Sequence, residues 1–183
     1  MALSRLDERS EPVTMSNNSV GAAGGAANYN VDQSGETVRQ LNSLLRGEIS
    51  AAETYRMAID KLGDSDHNAA LANVGLLRSI QEEHGRAAQA VRDRIRELGG
   101  EASDSSGAWG AWAQTVQGTM NLFGDTSALK GLKEGEEHGL KDYKEAMDDL
   151  DATSQQLIQN QLIPAQQRHI NLLDQLIGSV GRA

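Results

Sequence analysis

Two histidines in this 183-residue chain each follow a glutamine by three residues: Gln81 with His84, and Gln166 with His169. Three residues is less than one helical turn, so both members of a pair point to one face. Upstream of each pair stands a Gly-Glu step with a tyrosine seven residues after the glutamate. These are Gly47, Glu48 and Tyr55, then Gly135, Glu136 and Tyr143. Ala58 and Leu62 recur in the same register as Ala146 and Leu150. From glutamate to histidine is 36 residues in the first half and 33 in the second. A buried carboxylate is costly unless it is paired, hydrogen-bonded or metal-bound. Two chemistries follow. In one, imidazole nitrogen and carboxylate oxygen hold a metal; that donor set suits Fe, Mn, Zn or Co ions. In the other, no metal is needed. Each glutamate accepts from a protonated histidine, each glutamine completes the hydrogen bonds, and the polar layer fixes register at some expense in stability.

Helices must carry these residues. From about 34 to 62 the apolar positions Leu41, Leu44, Ala51, Tyr55, Ala58 and Leu62 keep helical spacing, with Ser34 as N-cap and Gly63 as stop. A second helix runs from near Asp66 to Leu98. Its inward stripe, Leu77, Gln81, His84, Ala88, Val91, Ile95 and Leu98, alternates steps of four and three. Residues 99–126 form a connector holding a short helix around WGAWAQTVQGTMNLFG. A third helix, from about Ser127 to Leu150, turns Leu129, Leu132, Glu136, Leu140, Tyr143, Met147 and Leu150 inward. A fourth, from about Thr153 to Ile177, turns Ile158, Leu162, Gln166, His169, Leu173 and Leu176 inward, and Gly178 ends it. Two hairpins joined by one long connection describe an all-α four-helix bundle with a crossover. Measured at 1.5 Å per residue, Glu48 and Gln81 both lie roughly 22 Å from the first hairpin end, and the second hairpin repeats this level. The six residues Glu48, Gln81, His84, Glu136, Gln166 and His169 therefore meet mid-bundle.

The totals agree. Proline is scarce and cysteine absent, which excludes disulfides and thiolate metal sites and fits a reducing cytoplasmic setting. A net charge of −9 and a pI near 4.9 argue against nucleic acid and anionic membranes as partners. No apolar run is long enough to span a membrane, and the N-terminus lacks the apolar core of a secretory signal. Residues 1–33, rich in Ser, Asn, Gly and Ala, read as a flexible tail, and 179–183 as a second short one.

The arrangement resembles the ferritin-like superfamily, including rubrerythrins and bacterioferritins. Its GE-x₆-Y pattern further resembles an uncharacterised bacterial family of ferritin-like bundles. The resemblance covers residues 34–178 and implies a ferritin-like four-helix bundle with a metal centre. It places Glu48 and Glu136 at the single-glutamate positions and His84 and His169 at the histidines. Gln81 and Gln166 stand where the superfamily has the glutamates of Glu-x-x-His. Glutamine is neutral and a weak ligand through its carbonyl. Losing two negative charges makes one ion held by two His and two Glu the simpler expectation than two. The implied cofactor is Fe, as one or two ions, with Mn or Zn as substitutes. The implied activity is iron oxidation or peroxide handling under stress, without assigned catalytic residues. The opposing reading is a non-catalytic structural or interaction protein with a metal-free polar core, whose acidic helices or tail mediate homo-oligomer assembly.

Some neighbours read as bystanders. Glu53, Glu82, Glu83, Glu134 and Glu137 lie off the seam as solvated charges, and His67 and His138 as surface residues. Gly131, Gly135 and Gly139 suit close packing or room beside Glu136, while Pro164 should kink or widen the fourth helix. Tyr55 and Tyr143 read as core residues with bonded hydroxyls or, on the functional side, as electron carriers. Trp109 and Trp112 read as a cover for the bundle or an oligomer contact.

Overall fold

A computed structural model of the protein describes residues 22–63, 68–107 and 125–180, with side chains over 34–60, 74–107 and 126–180. The described elements are helical: α1 (Ala22–Gly63), α2 (Asn68–Glu97), α3 (Asp125–Ala146) and α4, which is continuous in three pieces. Those pieces are α-helical Ala152–Leu157, π-helical Ile158–Leu162 and α-helical Ile163–Val180. α1 pairs with α2, and α3 with α4. No described helix is long and apolar enough to cross a membrane.

The core comes in two layers, and each draws on all four helices. One contains Leu41, Leu45, Val91, Ile95, Tyr143, Ala146, Ile158 and Leu162. The other contains Tyr55, Ala58, Leu77, Ile80, Leu129, Leu132, Leu173 and Leu176. Each fully buried Leu or Ile contributes about 1.5–3 kcal/mol. The Leu41–Leu45 stretch of α1 thus shares a layer with the ends of α2 and α3, and its later Tyr55–Ala58 stretch shares the other with the start of α3, so α1 and α3 run antiparallel. The end of α2 and the start of α3 lie in opposite layers, and the connection between them must travel the length of the bundle. Its described part does climb α1: the Asn42 amide donates to the Glu101 carbonyl at 2.8 Å, Arg46 to Ser103 at 3.2 Å, and Ser106 to Glu53 at 2.9 Å.

Local chemistry sets the ends. Gly99 takes φ 75° and closes α2: its N–H reaches the Arg96 carbonyl and that of Gly100 the Ile95 carbonyl, both at 2.9 Å. A Cβ on Gly100 would stand 2.6 Å from Val38. Between α3 and α4, a single 3-10 turn (Met147–Asp149) leads to Asp151, which caps α4 by accepting the Ser154 N–H at 2.7 Å. Arg94 from α2 grips the same cap, 2.5 Å from Asp151 and 3.0 Å from Ser154 Oγ. Both hairpins are locked at this end.

Pro164 widens α4 rather than breaking it. The Ile163 N–H bonds five residues back, to Ile158, and the wide turn relieves the proline ring against the Asn160 carbonyl. It also absorbs extra residues: Ile158, Leu162 and Gln166 are buried at steps of four, after which Gln166, His169, Leu173 and Leu176 resume the mixed pattern.

Two ends differ from the sequence reading. α1 begins at Ala22 rather than near Ser34. Ala22, Ala23, Ala26 and Ala27 are strong helix formers, and lengthening an existing helix needs no new nucleus. α4 passes through Gly178 to Val180, with the Ser179 hydroxyl donating to the Leu176 carbonyl at 2.8 Å. Residues 1–21, His67, Trp109, Trp112, the connector's expected helix and residues 181–183 lie outside the described residues.

Candidate metal centre

The polar layer sits between the two apolar ones. Glu48, His84, Glu136, Gln166 and His169 are each at least nine-tenths buried. His84 lies between the carboxylates, with Nδ1 2.9 Å from Glu48 Oε2 and Nε2 3.0 Å from Glu136 Oε1. His169 turns Nδ1 to Glu136 Oε2 at 3.3 Å. The imidazole rings of His84 and His169 are 5.0 Å apart, centre to centre. One ligand atom from each of His84, Glu136 and His169 lies within 4.8 Å of the other two.

The tyrosines cross over. Tyr55 stands in one apolar layer and donates to Glu136 Oε1 at 2.5 Å; Tyr143 stands in the other and donates to Glu48 Oε1. Side chains lean toward the N-terminus of their own helix. Because α1 and α3 are antiparallel, a tyrosine seven residues past its own glutamate leans back to reach the opposite one.

Electrostatics follow from burial and pairing. Burial alone would lower the His84 pKa, but the carboxylates of Glu48 and Glu136 outweigh it and hold it up at about 10. Burial would raise Glu136, yet His84 and His169 bring it down to about 2. Burial, then the adjacent carboxylate, pushes both tyrosines well above their ordinary value, so they remain hydrogen-bond donors.

Five of the six expected residues meet; Gln81 stays half-buried and outside this hydrogen-bonded cluster. Gln166 does join, donating from Nε2 to the Glu136 backbone carbonyl at 3.0 Å. It needs Gly139, where a Cβ would stand 2.8 Å from that nitrogen. The matching position, three residues after Glu48, is Ala51, which carries the methyl that Gly139 lacks. Gly47 faces open space instead, and with Gly135 it lines a cavity of about 70 Å³ between α1 and α3 bordered by Glu48, His84 and Glu136.

One bystander belongs to the site. Glu83, expected as a solvated charge, accepts from His169 Nε2 at 3.1 Å and from Arg168 at 3.1 Å. Burial opposes ionisation, but His169 and Arg168 hold its carboxyl below the ordinary range. The reason is that α2 buries a wider face than its a/d stripe: Ile80, three residues earlier and 1% exposed, marks the side turned to α4. The repeat held a second signal, since the residue before each histidine is Glu83 in one half and Arg168 in the other. Glu82, Glu134 and Glu137 are exposed as expected, and half-exposed His138 lies 3.5 Å from Asp142.

An antiparallel pair of helical hairpins, joined by a bundle-length connection around a mid-level Glu/His layer, is a ferritin-like four-helix bundle. The likeness extends to a ferritin-like, diiron-carboxylate protein of Bacillus anthracis: TM-score 0.62, 17% identity, covering 79% of this chain and 97% of that one. For the bacterioferritin of Rhodobacter capsulatus, solved with a metal-free dinuclear site and haem iron, the TM-score is 0.64 at 23% identity, covering 81% and 87%. The chain itself belongs to the family described as a domain of unknown function (DUF2383), which matches residues 36–149. No functionally curated protein matches its sequence.

Proposed function

We propose that this chain is a ferritin-like metal-binding protein that holds one divalent transition-metal ion at His84, Glu136 and His169. The observation that carries this reading is the convergence of two imidazole nitrogens and one carboxylate oxygen within 4.8 Å in a buried layer. Two histidines and one carboxylate form a donor set that non-haem ferrous sites share, so iron is the expected ion, with Mn and Zn as substitutes. Such an ion, when bound, would supply one-electron chemistry for iron oxidation or peroxide removal. The donors fit one ion better than two. Gln166 spends its amide on a backbone carbonyl, and Gln81 stands apart. Glu48 keeps Nδ1 of His84 hydrogen-bonded and leaves Nε2 toward Glu136. The tyrosine hydroxyls hold the carboxylates in place, and the apolar layers limit water.

A cobalt titration of chelator-stripped protein tests this. We expect one Co(II) per chain, with its absorption bands lost in Glu136→Gln and His169→Ala. Failure to bind cobalt, ferrous iron, manganese and zinc under anaerobic conditions would sink the reading. A second reading has its own support: among the described residues no buried side-chain nitrogen or oxygen lacks a partner. The chain Tyr55–Glu136–His84–Glu48–Tyr143 ends in a hydroxyl donor on each side, as a metal-free structural core would. That core predicts a melting temperature indifferent to added metal.

A further inference from the structure

We infer that Glu83, held by Arg168, is a positioning residue that fixes the imidazole of His169 so that Nδ1 alone faces the centre. This rests on the metal reading above for its purpose, though not for its geometry. His169 is 2% exposed and stands between two carboxylates of different kinds. Glu136, on the Nδ1 side, is buried in the polar layer; Glu83, on the Nε2 side, is on α2 at the rim, its side chain 26% exposed. Arg168 is the residue before His169 and lies 3.1 Å from the same Glu83 oxygen that accepts from Nε2. The guanidinium holds that carboxylate in place against the ring. A carboxylate on the far nitrogen fixes a histidine's tautomer and orientation and makes its other nitrogen a better ligand.

Glu48 does the same for His84 from the opposite side, through Nδ1. Each histidine therefore has an outer carboxylate, Glu48 or Glu83, and an inner nitrogen turned to the shared Glu136. The two arrangements are not related by the repeat: Glu48 is on α1, Glu83 on α2, and the residue matching Glu83 is Arg168. The centre is thereby displaced toward Glu136, with Glu48 orienting rather than ligating.

Two measurements separate this inference from the metal reading. In metal-free protein, ¹⁵N spectra of the imidazoles should show the His169 Nε2 proton hydrogen-bonded and slow to exchange. Glu83→Ala should lose that signal and Arg168→Ala should speed its exchange, while the His84 signals stay in place. In Co(II) titrations, Glu83→Ala should bind about 10–100-fold more weakly than wild type, and Arg168→Ala less so. A His169 Nε2 signal untouched by Glu83→Ala, or wild-type cobalt affinity in that variant, overturns the inference. A wild-type chain that shows the Nε2 signal yet binds no metal supports the positioning and defeats the metal reading alone.

Discussion

In the first half of the repeat, His84 lies between two buried carboxylates, Glu48 and Glu136, and its neighbour Gln81 stays aside. In the second half, His169 lies between buried Glu136 and rim-exposed Glu83, and Gln166 is docked on a backbone carbonyl. The Glu, Gln and His types are the same; their small neighbours are not. Gly139 leaves room for Gln166 where the matching position in the first half is Ala51, and Arg168 against Glu83 decides which histidine gains an outer charge pair. A repeat sets the height of a side chain in a bundle. The partner it finds there depends on the volume and charge of the residues beside it.

The largest expected effect separates the histidines. In metal-free protein, His84→Ala strands two buried carboxylates and should cost about 3–5 kcal/mol. His169→Ala should cost about 1–3 kcal/mol, because Glu83 keeps Arg168 and water. Urea denaturation of both variants measures this, and equal losses would dissolve the distinction between the halves.

The pH dependence should follow the same line. The folded His84 pKa, about 10, lies above its ordinary value near 6.5. Its stabilisation is thus complete below about pH 6.5 and fades as pH rises toward 10. Melting curves of metal-free wild type and His84→Gln should differ most near pH 6 and converge in alkali. A gap that widens with pH contradicts the pairing of His84 with Glu48 and Glu136.

The smallest effect concerns two glycines, Gly47 on α1 and Gly139 on α3. At Gly47 an added Cβ meets nothing within 4 Å, so Gly47→Ala should gain up to about 1 kcal/mol of helix propensity. At Gly139 the new methyl presses on Gln166, and about 1–3 kcal/mol of overpacking should cancel or exceed that gain. A similar gain from both substitutions would mean that Gln166 is not held where it is placed.

Much of this was legible in the chain. The a/d stripe of α2 and the Gly-Glu…Tyr recurrence were enough for the bundle, the level of the layer and Glu48, His84, Glu136, Gln166 and His169. Glu83 was missed because a single stripe describes contact with one neighbour, whereas α2 packs against both α1 and α4 and buries Ile80 beside it. Gln81 stands half-buried and apart from the cluster: period says which way a side chain points, but not which partner waits there. The start of α1 was hidden because an alanine-rich segment has no apolar period to read, whether or not it continues a helix.

Neither hairpin owns a core: each contributes to both apolar layers and brings one Glu and one His to the plane between them. Cut apart, each would expose both layers to water and would need a copy of itself to cover them. The crossed tyrosines, Tyr55 on Glu136 and Tyr143 on Glu48, exchange under the same rotation that relates subunits of a twofold dimer. The chain is built like such a dimer with its halves tied by a strap. A true homodimer must repeat every residue. Only a tied one can place Glu83 opposite Arg168, or carry Gly139 in one half and Ala51 in the other, and so make its two histidines unequal.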